Sequence, residues 1–436
     1  MDKDGGALEL YPVESPGTPG VEPTKHLLPA WNSMAFFTVT PGVSFHAVQE
    51  VFAEDKPRLS IQGWYHAAEP PKGSEQATLT QLQARQDDDV ADFVPFPSAV
   101  ADVIAAAAAA THADDKGKGV AVDEEEDDDG EPLGPDEADL AYLSRWINPE
   151  YLRPENVAQI REKMEEDSSV QMREFLRPEV AAAIRSSTRK EDAACKLGRG
   201  QIPERSAGVG GGWRTLGPTH KQRYMAYEGE GVAEVAVKDP KGKGKALEDD
   251  NRPAGSLLRE LKTELFQSES FGRLATALTG LRPTAHKGEV RRFRPGLDYT
   301  VAHHGILTTD PRLDATLCFV DDEGEEASSA WDFGEVGGFE CYIAADEEGV
   351  PAGAATAEVY KATAEEDEDE LLSVSATFNT LSLVHRDEGL MRFVKYVGHL
   401  APSSRWDVAM QYTVEAVEDS DEEEDDEEGE EEEQQQ

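Results

Sequence analysis

The chain has 436 residues, with 89 Asp and Glu against 42 Lys and Arg and a formal net charge of −47. That length allows roughly two or three domains, and that charge excludes binding to nucleic acid through a basic face. Cys195, Cys318 and Cys341 lack CxxC spacing, which argues against a disulfide framework or a zinc site and fits a reducing compartment. The start, MDKDGGALEL, has neither a basic nor an apolar leader region, and the alanine run Val103 to Ala110 is too short to span a bilayer. The expectation is a protein of the cytoplasm or nucleus that enters no membrane.

The first segment, residues 1–68, reads as β-structure. Leu8, Leu10 and Pro12 alternate with Glu9 and Tyr11, Val13 to Lys25 is a loop, and Met34 to Val39 is an apolar strand. Two alternating runs, Val43 to Val51 and Arg58 to Trp64, flank the turn Phe52 to Pro57 and predict a β-hairpin. Strand periodicity sets Ser44, His46 and Val48 on one face of the first arm, and Arg58, Ser60, Gln62 and Trp64 on one face of the second. An imidazole and an Arg-x-Ser pair then address one cavity. A neutral imidazole ligates iron(II), and a guanidinium fork grips a carboxylate. Taken alone, His46 also reads as an ordinary strand residue. About four strands do not close a barrel, so this sheet calls for further strands to pair with.

Residues 69–139 lose all hydrophobic periodicity and include the acidic run Asp123 to Asp129, which predicts a low-complexity insertion with a short helix through Val100 to Ala110. Residues 140–227 read as a helical linker and the start of a further domain. Arg153-Pro154-Glu155 opens a helix through Val157, Ile160 and Met164; Val170, Met172, Phe175 and Leu176 continue the helical pattern, and a second helix starts at Glu179. VGGGW (Val209 to Trp213) does not open a helix and is not a phosphate loop. Residues 228–256 are a second low-complexity insertion, in which Lys241, Lys243 and Lys245 read as solvated linker before they read as an import signal.

Residues 257–417 form the last ordered region. Leu258, Leu261, Leu265, Phe266, Leu274, Leu278 and Leu281 make an amphipathic helical stretch that Gly280 stops. Strand-like runs follow at regular spacing: VRRFRPGLDYTVAHH, ATLCFV, GGFECYIA, LLSVSAT, NTLSLVHR and MRFVKYVGHL. His303 and His304 have no carboxylate two residues on, and His385 is followed by Arg386 in an apolar strand, so no facial metal triad is expected here. Residues 418–436 are an acidic tail.

The stretches GGALELYPV (Gly5 to Val13), Trp31 to His66, AYLSRWINPEYL, GPTHKQRYMAYE, FRPGLDYTVAH, GGFECYIA and NTLSLVHRDEGLMRFVKYVGH resemble, in order, the prolyl hydroxylase family of iron(II)/2-oxoglutarate oxygenases that modify a small-subunit ribosomal protein. The resemblance implies a mainly β fold with connecting helices: two double-stranded β-helix (jelly-roll) barrels, the first incomplete here, the second a non-catalytic oxygenase degradation domain. It implies that His46 is an iron ligand and that Arg58, with Ser60, holds the far carboxylate of 2-oxoglutarate. Fe(II), 2-oxoglutarate and L-ascorbate would be the cofactors, and a small-subunit ribosomal protein the partner. One departure stands out. The family places a His-x-Asp or His-x-Glu pair on an earlier strand, whereas the only histidine before His46 is His26, followed by Leu27 and Leu28. A second reading is therefore a non-catalytic interaction or degradation-regulating module.

Overall fold

The computed structural model describes residues 3–65, 68–69, 93–101, 134–229, 252–303, 306, 308, 310–344 and 370–416. Near the amino end, β1 (Leu8–Leu10), β2 (Val13–Ser15), β3 (Thr18–Pro19), β4 (Lys25–Leu27) and β5 (His46–Val48) are short. They make a three-stranded antiparallel sheet in the order β4-β1-β5 and a small β2-β3 ribbon.

The remaining strands are β6 (Val94–Pro95), β7 (Ser169–Met172), β8 (Trp213–Leu216), β9 (Gln222–Tyr227), β10 (Leu281–Phe293), β11 (Tyr299–Thr300), β12 (Arg312–Phe319), β13 (Glu340–Ala344), β14 (Glu370–Val374), β15 (Thr380–Arg386), β16 (Leu390–Val394) and β17 (Arg405–Ala416). Nine of them form one antiparallel sheet along β11-β9-β10-β17-β12-β15-β7, with β6 added to β10 and β8 to β9; β14-β13-β16 form a second, smaller sheet. Along β12, Leu313, Ala315, Leu317 and Phe319 join the main core with Trp406, Val408, Met410 and Tyr412 of β17. Strand alternation turns Arg312, Asp314 and Thr316, and Arg405 and Asp407, to the opposite face. That inner face meets the smaller sheet, where Arg392 of β16 donates to Thr316. Both faces of the large sheet are thus covered.

Helices cover the outer face. Pro154–Asp167 begins with proline in its first turn and ends at Ser168 in the left-handed region. Glu269–Thr279 is capped by Ser268, whose hydroxyl accepts from the Phe271 N–H, and closes at Gly280. The amphipathic stretch is therefore helical as read, divided into Ala254–Glu260, the π-turn Leu261–Phe266 and Glu269–Thr279. Phe96 of the short described piece after residue 92 is buried in the same core.

The mainly β character with connecting helices holds. Four local readings do not. Val13 to Lys25 is not a plain loop, because it folds back on itself as the β2-β3 ribbon before reaching β4. The hairpin does not form: β5 pairs with β1, Leu10 opposite His46 and Leu8 opposite Val48, and Arg58 to Trp64 is not a strand. Met34 to Val39 is not a strand either. In both places apolar alternation is present, but no neighbouring strand among the described residues takes up the backbone groups, and Trp31, Met34, Phe36, Leu59, Ile61, Trp64 and Tyr65 are exposed. Val170 and Met172 lie on β7, not a helix, because their backbone pairs with Leu383 and Leu381 of β15, and Phe175 and Leu176 follow in non-helical chain, Leu176 bridging to Ile147. The alanine run, Lys241 to Lys245, His66, His304 and the acidic runs, apart from Glu370 at the start of β14, lie outside the described residues. Among the described residues no helix is long and apolar enough to cross a membrane.

Candidate functional site

His46 and Arg58 both lean on β1, at its two ends. His46 sits opposite Leu10. Arg58 reaches back past the other end, where its Nε donates to the Gly6 carbonyl at 2.9 Å and its Nη1 donates to Ser60 Oγ at 3.1 Å. Gly6 lies two residues before β1 begins, and Leu10 is its last residue. His46 is thus seated from the paired strand β5, and Arg58 from outside the sheet. Gly5 and Gly6 permit this approach: both have positive φ, and a Cβ on Gly6 would stand 3.0 Å from Arg58 Cδ.

His46 Nδ1 lies 3.0 Å from the Ser44 carbonyl oxygen. A carbonyl only accepts, so Nδ1 carries the proton and Nε2 keeps the lone pair that a metal takes. The ring is exposed and Phe37 packs edge-on against it at 4.9 Å. Among the described residues no three His, Cys, Asp or Glu side chains gather to hold a metal ion. One imidazole is not an iron centre, and the donor set present does not fit a complete one.

The amino-terminal sheet is anchored on the larger region by ion pairs. Glu9, buried on β1, accepts from Arg205 and from Tyr11 Oη at 2.7 Å. Glu50, two residues past the end of β5, accepts from Tyr396 Oη at 2.9 Å. Burial, with the Glu50 charge beside it, pushes the Tyr396 phenol far above its ordinary range.

Between the two facing sheets lies a second constellation, which the sequence reading missed. Arg291 grips Asp407 with two bonds, 2.7 and 3.1 Å. Arg392 Nε donates to Glu340 at 2.6 Å, and its Nη1 stands 3.3 Å from Asp314, which Arg386 also approaches at 3.0 Å. Burial would raise the Glu340 carboxyl, but Arg392, Arg405 and Arg291 more than offset it and hold it at about 2. The sequence carries a signal for this: charged residues alternate with large apolar ones along RWDV, Arg405 to Val408.

His385 also needs correction. His385-Arg386-Asp387 is a His-x-Asp triplet, and Nε2 lies 3.8 Å from Asp387 Oδ1. Alternation along β15 sets His385 on the side of Leu381 and Leu383, the helix-covered face, while Arg386 takes the inner face. No third ligand joins the pair among the described residues.

Comparison with known proteins agrees with this division. Residues 1–66 match the 2OG-Fe(II) oxygenase superfamily, and residues 138–421 match the oxoglutarate and iron-dependent oxygenase degradation C-terminal family. Prolyl 3,4-dihydroxylase OGFOD1 of Ostreococcus tauri is 36% identical over 415 residues, which cover 94% of this chain and 69% of the relative. The chain belongs to the OGFOD1 prolyl hydroxylase family. Prolyl 3-hydroxylase OGFOD1 of Xenopus laevis is 26% identical over 91% of this chain and 60% of its own length, and that of Mus musculus 25% identical over 94% and 68%. The chain thus spans about two thirds of the OGFOD1 relatives it matches. In OGFOD1 terms, His46, Arg58 and Ser60 lie in the oxygenase-superfamily segment, and the buried arginine network lies in the degradation-domain segment.

Proposed function

We propose that this chain belongs to an Fe(II)/2-oxoglutarate-dependent peptidyl-proline hydroxylase that acts on a small-subunit ribosomal protein in the cytoplasm or nucleus and so affects translation fidelity and termination. The amino-terminal sheet is read as part of a catalytic double-stranded β-helix, and the two facing sheets as a second, non-catalytic one. His46 would offer Nε2 to the iron, Arg58 and Ser60 would hold the far carboxylate of 2-oxoglutarate, and L-ascorbate would keep the metal ferrous.

The observation that carries this reading is the seating of Arg58. Its guanidinium is tethered at Nε by the Gly6 carbonyl and lies beside the Ser60 hydroxyl, which orients a fork of donors in the oxygenase-superfamily segment. A fork so oriented suits a dicarboxylate. Apolar side chains of the same segment, among them Trp31, Met34, Ile61 and Tyr65, are exposed, which supports reading it as one part of a larger barrel.

The test is calorimetric titration of the full chain with 2-oxoglutarate. Arg58→Ala is expected to weaken binding roughly tenfold or more, the scale of one charged hydrogen-bonded contact, and His46→Ala to lower manganese affinity. Hydroxylation is read separately, as one oxygen gained on a proline of the ribosomal protein. Unchanged 2-oxoglutarate affinity in Arg58→Ala would remove the cosubstrate assignment and leave a non-catalytic interaction module.

A further inference from the structure

Arg292 of β10 is fully enclosed, and two of its guanidinium nitrogens are bonded. Nη2 donates to Asp192 Oδ1 at 2.7 Å, and Nε donates to Ser404 Oγ at 3.3 Å. Ser404 in turn donates to both Asp192 oxygens, at 2.6 and 2.8 Å, and the Trp406 ring lies 4.1 Å from the guanidinium carbon. These contacts fix the group in one orientation. The third nitrogen, Nη1, is buried and has no hydrogen-bond partner among the described residues, and a buried donor without an acceptor is costly. It points at Gly208. A Cβ on that residue would stand 2.5 Å from Nη1, 3.4 Å from Arg292 Cζ and 3.5 Å from Cys195 Sγ. Gly208 also has φ of +78°, so both the backbone and the close approach call for glycine. The thiol and the orphaned N–H groups are left flanking one point. Cys195 follows the helix Pro178–Ala194, one turn after Asp192, and is only partly covered, which sets it at the rim of the buried network.

We propose that Cys195 is a peroxide-responsive modification site: hydrogen peroxide converts its thiol to a sulfenic acid whose oxygen accepts a hydrogen bond from Arg292 Nη1. The sulfur, as thiolate, attacks one peroxide oxygen. An S–O bond forms and the O–O bond breaks; the leaving hydroxide takes up the proton that the thiol released and departs as water. The sulfur loses two electrons and the peroxide gains them. The added oxygen extends the side chain by one bond toward Nη1 and supplies the acceptor that is missing there. A free thiol returns the site to its starting state: it condenses with the sulfenic acid to a mixed disulfide and water, and a second thiol releases the cysteine by exchange. Cys318 and Cys341 are buried on β12 and β13. None of His46, Arg58 and Ser60 takes part, so this site does not rest on the hydroxylase reading.

The experiment treats the full chain with hydrogen peroxide, traps sulfenic acid with dimedone and maps the adduct by peptide mass spectrometry. In parallel, thermal unfolding is followed with and without peroxide, in the parent and in Cys195→Ser, so that oxidation elsewhere cancels in the difference. Two results support the site: a dimedone adduct on Cys195 with Cys318 and Cys341 spared, and a midpoint that peroxide raises in the parent relative to Cys195→Ser. The rise should be roughly 2–4 °C, the scale of one buried donor gaining its acceptor. In Arg292→Lys the adduct should still form and the rise should vanish; if that variant does not fold, the parent and Cys195→Ser decide. Absence of a Cys195 adduct overturns the proposal. So does a parent midpoint that peroxide leaves level with, or below, that of Cys195→Ser, or a rise that persists in folded Arg292→Lys.

Discussion

Glu50 and His399 are joined at two points: the His399 backbone N–H donates to Glu50 Oε2 at 3.0 Å, and the His399 ring Nδ1 donates to Oε1 at 2.8 Å. Tyr396 adds a third donor to the same carboxylate, and Phe52 packs its ring 5.0 Å from that of His399. Glu50 lies four residues beyond His46, so the strand carrying the candidate iron ligand is fastened directly to the degradation-domain segment. Removing the carboxylate strands a largely buried phenol and an N–H. Glu50→Ala is expected to cost about 2 kcal/mol, the usual scale for hydrogen bonds to a charged group, and to expose the first 65 residues to limited proteolysis ahead of the rest. Glu50→Gln, which keeps one acceptor, should lose less. Equal protease sensitivity of the two segments in Glu50→Ala would show that this latch does not hold them.

The Glu340 carboxyl gives the fold a defined response to acid. Its folded value is about 2 and its ordinary value 4.5. A carboxyl depressed on folding stabilises the native state above its unfolded pKa, and that stability is lost as the pH falls toward the folded value. The window here is therefore pH 4.5 down to about 2, and a shift of that size corresponds to roughly 3 kcal/mol at ~1.4 kcal/mol per unit. Glu340→Gln should be less stable than the parent at neutral pH, because three guanidinia lose a shared anion, yet show a shallower decline over that window. Parallel acid-denaturation curves for the two proteins would contradict this.

What the sequence made legible follows from how each segment is buried. β12 and β15 were readable because Leu313, Leu317, Leu381 and Leu383 recur at strand spacing beside β-branched or apolar neighbours. β17 was passed over although Trp406, Val408, Met410 and Tyr412 alternate cleanly. Its other face carries Arg405 and Asp407, which look like surface residues but are buried, bonded to each other and, through Asp407, to Arg291 of β10. The same blindness hid the arginine network, because charge on an inner face is indistinguishable in sequence from charge in solvent. The hairpin failed for the opposite reason. Leu59 and Ile61 alternate with Arg58, Ser60 and Gln62, but strand formation needs a neighbour to accept its hydrogen bonds, and pattern alone does not supply one. For the candidate site, His46 and Arg58 were picked out by strand periodicity and by a resemblance, but the seating of Arg58 on the Gly6 carbonyl was not readable, because it depends on the positive φ of Gly6.

Gly280 ends the helix Glu269–Thr279 with φ of +71°, and a Cβ there would press on the Arg161 guanidinium. The Arg161 side chain can swing away, so the penalty that remains is conformational, about 1–2 kcal/mol for a side-chain-bearing residue in the left-handed region. Gly280→Ala is expected to lower stability by that amount in a denaturant titration, with Gly280→Asn, which tolerates the same backbone geometry, in between. An Ala variant as stable as the parent would mean that the terminus relaxes to another cap.

The three thiols should differ sharply in reactivity, and the reason is packing against charge. Cys318 is buried on the inner side of β12, and desolvation pushes its thiol up to about 12, with Asp407 and Glu340 adding to the rise and Arg405 opposing it. Only the thiolate reacts with an alkylating agent, so at pH 8 Cys318 is both inaccessible and protonated. Cys341 is buried on β13, whereas Cys195, at the end of the helix Pro178–Ala194, is only partly covered. Iodoacetamide applied to the native chain is expected to modify Cys195 and spare the other two, which become reactive only after unfolding. Cys318 lies beside the arginine network, so its protection also reports on that network: Glu340→Gln should speed its alkylation by loosening the sheet contact before global unfolding. Prompt labelling of Cys318 in the native parent protein would show that the two sheets do not close over it.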